Sequence, residues 1–270
     1  MKDLDSSGWL QLNVGLTRTN GSAYDSARSL FDTITPFVER WREAGWLSCY
    51  FLMRKPPDVR LRFFSADYKL MIKSVLVEEL EVLLKLGTIS EFFFSNYAPE
   101  INRFGGVEAM NAVHNYFDVD THNWLALDNL VRLEQSEIDP AQLLPSLFQN
   151  LFDRVLDDKI SVLKTWQHLA ELTPLDESVE LLPSIDLLEI DRLANSTNIR
   201  PEISKILKSY RQAHDQLGEE FSQLWQADLL CADLYEILAA IALFSFNRHG
   251  FAGERSAPIV EVVIRDLRKM

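Results

Sequence analysis

The chain has 270 residues, 47% of them hydrophobic, with a formal net charge of −13. That length and apolar content suit one large globular domain or two small packed ones, while the negative balance repels phosphate and excludes nonspecific attachment to nucleic acid or an anionic membrane. The only two cysteines, Cys49 and Cys231, exclude a disulfide scaffold or a cysteine-built metal site, and both are expected to be buried thiols of a cytoplasmic protein.

The N-terminal MKDLDSSGWLQLNVGL lacks the basic, apolar and small-residue order of a secretory signal. The most apolar stretch, LYEILAAIALFSF (234 to 246), falls short of the roughly 20 residues that span a bilayer and contains Glu236. Without a secretion signal, the glycosylation-like tripeptides at Asn20 and Asn195 are chance matches.

WLQLNVGL (9 to 16) alternates as a strand, with Leu10, Leu12, Val14 and Leu16 on one face. After Thr19-Asn20-Gly21, the stretch 22 to 45 carries Ala23, Leu30, Phe31, Ile34, Phe37, Val38 and Trp41 at helical spacing. Ser22 is its expected N-cap, Gly45 its end, and Pro36 a point where it bends or divides. WLSCYFLMR and VRLRFF read as a hairpin around Pro56-Pro57, where fixed φ values suit a turn. Residues 66 to 87 have helical periodicity and stop at Gly87, and ISEFFFSNYAPE follows as another strand. The order β-α-β-β-α-β predicts a ferredoxin-like unit over 9–104, with two helices on one sheet face and the other face open.

From 105 to 270 the pattern is mainly helical, giving an α+β fold in which the two parts pack as a single domain, 1–270. Residues 105 to 137 read as one or two helices, 140 to 157 and 159 to 172 as shorter ones, and 173 to 198 as a long acidic connection. The span 201 to 250 reads as one long helix or two, turning near Gly218. The tail APIVEVVIRDLRKM fits a helix or a strand.

None of the HExxH, GxSxG, Walker, GxGxxG or CxxC signatures is present. The five histidines stand singly in helical segments, and pairs such as Glu78-Glu79 and Glu219-Glu220 read as solvated helix faces. Arginines carry the functional signal instead. In YFLMRKPPDVRLRFF (50 to 64), Arg60 and Arg62 alternate with Val59, Leu61 and Phe63, which places them on the sheet face away from the helices. The side taken by Arg54 depends on the loop register and stays open. Downstream, YAPEINRFGG places Arg103 beside Gly105-Gly106, where the backbone has conformations closed to other residues. Guanidinium groups suit a carboxylate or an enolate-like oxygen.

The ordered set YFLMRKPPDVRLRFF, SNYAPEINRFGGVEAM, VHNYFDVDT and FSFNRHGF resembles the C-terminal domain of lantibiotic dehydratases, a family that also occurs alone as thiopeptide-type bacteriocin biosynthesis proteins. The likeness runs from Trp9 to about Gly250 and is weakest in the acidic connector. It implies maturation of a ribosomally made, leader-bearing precursor peptide, the main partner. In full-length relatives a larger preceding part glutamylates Ser or Thr from glutamyl-tRNA, and this domain eliminates glutamate to leave dehydroamino acids. For a standalone chain, a separate glutamylating dehydratase protein becomes a second partner, and no direct contact with nucleic acid or membrane is expected.

The resemblance carries catalytic roles onto Arg60, Arg62 and Arg103, and substrate contacts onto Arg54, Tyr97, Glu100, Asn247 and Arg248, with no metal or organic cofactor required. Elimination needs a base at Cα, a stabilised enolate and a neutralised carboxylate, and arginines serve the last two. One departure bears on the reaction. Eliminating domains of the family carry a His-Met-x-x-Asn-Arg pattern, whereas here Leu243 precedes Asn247-Arg248. His249 is expected to point elsewhere on its helix. This favours the pyridine synthases of the family, which join two dehydroalanines in a formal [4+2] cycloaddition. The other readings are glutamate elimination and a noncatalytic partner that binds a leader by strand addition or in a groove.

Overall fold

The computed structural model describes residues 8–133, 138–176, 179, 181, 183–251 and 253–269. The chain divides into two compact units, one running to Pro99 and one starting at Glu100.

The first unit contains β1 (Trp9–Leu16), α1 (Tyr24–Glu43), β2 (Cys49–Lys55), β3 (Asp58–Phe64), α2 (Lys69–Lys85) and β4 (Ile89–Ser95). Its four strands lie in the order β2-β3-β1-β4, and every neighbouring pair is antiparallel. This is the expected ferredoxin-like arrangement. Leu12 sits opposite Leu61 and Phe94, and Leu61 opposite Leu52. Leu12, Leu52 and Leu61 are completely buried, each worth about 2 to 3 kcal/mol of transfer free energy.

Side-chain parity follows from this register. Leu10, Leu12, Val14, Val59, Leu61 and Phe63 share one face. Trp41 of α1 meets Phe63 on it at 6.2 Å between ring centroids, and Lys73 of α2 lies 4.9 Å from the Phe94 centroid. Both helices therefore cover that face. The hairpin closes with Lys55 opposite Asp58, leaving a two-residue Pro56-Pro57 turn, and this sets Arg54 opposite Val59. Arg54 belongs to the helix-covered side, while Arg60 and Arg62 stand on the other.

That other face departs from expectation, because it is not open. Gln11, Asn13, Phe51, Met53 and Arg62 are all buried, and rings of Trp9, Phe51, Phe64 and Tyr97 pack on one another across it. In α1, Leu30, Phe31, Ile34, Val38 and Trp41 form the buried stripe, and the helix continues undivided through Pro36. Ser22 Oγ accepts the Tyr24 N–H at 3.2 Å, although the N-cap position itself falls on Ala23.

The second unit begins with a 3-10 turn, Ile101–Phe104. Then follow α3 (Val107–Arg132), α4 (Pro140–Val155), α5 (Lys159–Leu172), α6 (Ile190–Ala194), α7 (Pro201–Gln226), α8 (Leu234–Arg248) and α9 (Ala257–Leu267). The span after Gly105 opens with a single long helix, α3, and its last expected residues, 134 to 137, lie outside the described residues. The tail is a helix. The acidic connection contains α6, and 177, 178, 180 and 182 of that stretch lie outside the described residues.

The expected turn near Gly218 lies elsewhere. The α7 helix passes straight through Gly218, and the chain breaks at 227–233, where Asp228 takes a positive φ of 55°. Gly218 serves a close approach instead: a Cβ there would lie 3.0 Å from the Arg154 carbonyl oxygen. Helix starts are encoded locally. Asp139 accepts the Ala141 N–H, Asp158 accepts those of Ile160 and Ser161, and Pro140 and Pro201 occupy first-turn positions. Trp124 and Leu127 of α3, Leu143 and Leu147 of α4, and Ile206 and Tyr210 of α7 share one core cluster. Helix α8 is buried through Ile237–Ala242 on every side, as a helix apolar all round must be. Among the described residues, no helix is long and apolar enough to cross a membrane. Cys49 is buried as expected, whereas Cys231, in the break after α7, is exposed.

Candidate functional site

On the first unit, alternation along β1 and β3 gathers Trp9, Gln11, Asn13, Arg60 and Arg62 on one face. Arg62 is 6% exposed. Its Nε donates to Gln11 Oε1 at 2.8 Å, and its guanidinium lies 4.2 Å from the Tyr97 centroid and 5.2 Å from that of Phe51. The Gln11 amide donates onward to Ser95 Oγ at 2.9 Å, and Asn13 donates to Ser95 Oγ at 2.9 Å and to the Phe93 carbonyl at 3.2 Å. This ladder ties β3, β1 and β4 together and fixes the plane of the Arg62 fork. Arg60, two residues nearer the hairpin, donates from Nε to the Pro56 carbonyl at 3.0 Å. The structure brings Arg60, Arg62 and Tyr97 to one side of the sheet, with Arg54 on the reverse.

In the second unit three sequence stretches converge. Glu100 and Arg103 form an i,i+3 ion pair at 2.9 Å, with the Arg103 side chain 47% exposed. Gly105 and Gly106 take φ of 85° and 116°, which only glycine tolerates cheaply. A Cβ on Gly105 would meet Ile237 Cδ1 at 2.5 Å, and the Gly105 carbonyl accepts the Cys231 N–H at 3.1 Å. The pair thus admits the loop after α7. Phe104 meets Phe117 and Phe244 edge-on, and those two rings stack at 5.7 Å and 4°. The Arg103 guanidinium lies 5.9 Å from the Phe244 centroid, and that of Arg248 lies 4.5 Å from Phe117. Contacts therefore run from Arg103 through Phe244 and Phe117 to Arg248.

Arg248 ends in a buried cluster around Asp120 of α3. The Arg248 guanidinium and the Ser245 hydroxyl donate to Asp120 Oδ2, the latter at 2.8 Å. Tyr210 O–H donates to Oδ1 at 2.8 Å, and His249 Nε2 lies 2.8 Å from the same oxygen. Burial by itself would raise the Asp120 pKa. The charges of His249 and Arg248 and the hydrogen bonds of His249 and Ser245 outweigh it, holding the carboxyl well below the usual carboxylate range. Burial, and then the Asp120 charge, push the Tyr116 and Tyr210 hydroxyls well above their ordinary values, so both stay protonated. His249 also stacks on Trp124 at 4.2 Å and 13°.

His214 of α7 lies alongside. Burial, and then the nearby Arg154 charge, push its pKa down to about 3, so it is neutral. Asn150 Oδ1, an acceptor, sits 2.9 Å from Nδ1, which places the proton there and leaves Nε2 facing Tyr116 O–H at 3.5 Å.

Arg248, expected from the resemblance to contact substrate, lies in this buried cluster. Arg248 is 0% exposed and ion-paired inside the helical unit, because a buried charge requires a counter-charge. Asn247 is half-buried and shares its helix face with half-buried Leu243, one turn back. Asp120, Ser245 and Tyr210 were not singled out from the sequence, whereas His249 was, and it points into this cluster. A signal was available, since Arg248-His249 at the end of so apolar a stretch calls for an acid, and VHNYFDVDT contains it.

The second unit also has an open depression of about 950 Å³ where the ends of α4, α5, α7 and α8 meet. Asp157, Asp158, Asp215, Glu219 and Asp233 line it together with Arg154, Lys164 and Gly218. None of the expected site residues lies there.

The family model described as lantibiotic biosynthesis dehydratase C-term matches residues 9–263. Among solved structures, the tRNA-dependent lantibiotic dehydratase MibB from Microbispora sp. 107891 is similar at 14% identity and a TM-score of 0.61, over 98% of this chain. The chain spans 28% of the length of MibB. TsrL is similar at 14% identity and a TM-score of 0.49, over 97% of this chain and 94% of that one. At 14% identity the likeness to MibB is one of fold alone. No curated protein matches.

Proposed function

The chain belongs to the lantibiotic biosynthesis dehydratase C-terminal family, and from that premise we propose that it matures a ribosomally made peptide by cyclising dehydroamino acids in a leader-bearing precursor. The reaction is a formal [4+2] addition. Two carbon–carbon bonds form between two dehydroalanines and the carbonyl carbon of a neighbouring amide, after which water and the leader amide leave. Negative charge develops on amide oxygens along this route, and guanidinium donors aimed at such oxygens lower the barrier. In this reading Arg60, Arg62 and Arg103 act on the reacting amides, while Tyr97, Glu100 and Asn247 hold the peptide.

The observation that carries the choice of reaction is the fixation of His249. Relatives that eliminate glutamate resemble a pattern with histidine where this chain has Leu243, and His249 is bound to Asp120 and stacked on Trp124. It is therefore ill placed to replace an acid/base at position 243. A second reading is favoured by Arg103, whose half-exposed guanidinium already holds the Glu100 carboxylate and would suit a departing glutamate. In that elimination a base takes the Cα proton, the Cβ–O bond breaks, and glutamate leaves with the electron pair. A preceding glutamylation would supply that substrate.

Intact-mass measurement after incubation with the dehydrated and the glutamylated precursor separates the readings. Release of leader with loss of water from the first supports cyclisation. Loss of glutamate from the second replaces it with elimination. Binding without a mass change in either leaves a noncatalytic partner and ends both enzymatic readings.

A further inference from the structure

The two borders of the sheet differ. Strand β2 is buried from Cys49 to Met53, whereas β4 is exposed at Ser90, Glu91, Phe93 and Ser95. Among the described residues no strand pairs with the outer side of β4. Natural edge strands are blunted by charges, prolines or bulges. Here the strand is ISEFFFS, with one charge and no proline, and its register shift lies at its start, opposite Gly15 and Leu16. From Glu91 to Ser95 its register with β1 is regular, with three phenylalanines in a row at its centre.

Each flank of that edge carries phenylalanine. On the helix-covered side stand Phe92 and Phe94, half-buried, in register with Val14 and Leu12. Lys73, Val77 and Leu84 of α2 share a helical stripe, with Lys73 4.9 Å from the Phe94 centroid and Leu84 41% exposed. On the reverse side Phe93 is 47% exposed. A strand added here would set alternate side chains between β4 and α2 and the others beside Phe93, while its backbone paired with β4. Strand addition between an open edge and a flanking helix gives affinity through main-chain bonds and selectivity through alternate pockets.

We propose that β4 is a docking edge for an extended stretch of the precursor peptide, apolar at alternate positions, which adds as a fifth strand. The identity of this occupant rests on the maturation reading above. A second copy of the chain is the poorer occupant, because two chains of charge −13 repel one another.

The test uses a synthetic heptapeptide of alternating valine and threonine with a central phenylalanine, and the same peptide N-methylated at every residue. With the intact protein, the first peptide should slow hydrogen exchange of amides 90–95 at least tenfold, and the N-methylated one should not. Phe93→Lys should weaken peptide binding at least tenfold at an unchanged melting temperature. Leu84→Glu provides a second variant that leaves the sheet untouched, with the same expected loss. Slowed exchange only outside β4, or full affinity in both variants, overturns the proposal. So does sedimentation showing a dimer that Phe93→Lys dissociates while the peptide fails to bind. The two readings fail separately: peptide protection of β4 with no mass change in any precursor defeats the maturation reading alone, and processing of precursor without β4 protection defeats the docking edge alone.

Discussion

Arg103 and Arg248 touch the same pair of stacked rings, yet they differ in almost everything else. Arg103 lies half in water with a partly exposed glutamate three residues away. Arg248 is sealed from water with Asp120, which comes from another helix. An exposed ion pair contributes about 0 to 1 kcal/mol. Removing one member of a buried pair costs about 3 to 5 kcal/mol, because the other is left charged in an apolar interior. Two arginines on the same rings thus differ in stability terms through burial alone. Arg248 holds α8 to α3, whereas Arg103 keeps about half of its side chain in water.

The largest expected effect tests the buried side. Asp120→Ala should lower unfolding free energy by about 3 to 5 kcal/mol in denaturant titration. A loss below about 1 kcal/mol would break the contrast. Next, Arg103→Ala should reduce precursor turnover by about 10² to 10³, in a mass-based rate assay, with stability changed by less than about 1 kcal/mol.

A smaller effect is pH-dependent. The folded His214 pKa is depressed, so between about 6.5 and 3 the unfolded chain takes up a proton that the folded chain refuses. Stability should therefore fall as pH drops below 6.5, by at most about 1.4 kcal/mol per unit from this group. His214→Gln should flatten the slope in melts between pH 7 and 5. Asp120 does not contribute there: its depressed pKa stabilises the fold above the ordinary aspartate value, and that gain is lost only as pH falls further. The smallest effect belongs to Arg54→Ala, which should leave turnover within about threefold, since Arg54 stands on the sheet side away from Arg60 and Arg62.

Strand parity in VRLRFF was readable because period-2 alternation is a local property, and it placed Arg60 and Arg62 opposite Val59 and Leu61 correctly. The side of Arg54 was not readable, because it hangs on the Lys55–Asp58 closure of a two-residue turn. The open face was misjudged because nothing in the alternation of β1 announces that Trp9, Phe51 and Tyr97 would close around Arg62. Gly218 was read as a turn because a glycine has the same sequence signature whether it permits a bend or a close approach. The Asp120–Arg248 pair joins positions 128 residues apart, and no local pattern encodes a contact of that range. The order of motifs carried the family, whereas which arginines are buried needed the packing.

The glycine in α7 has one further consequence. Gly218 and the Arg154 carbonyl contribute bare main chain to the depression at the helix ends, whose border is made of carboxylates such as Asp157, Asp158 and Glu219. Point changes can rewrite the charge of that border one residue at a time, whereas any side chain at Gly218 must first wedge two helices apart. The charge of the hollow is therefore separable from the packing of α4 on α7 that shapes it.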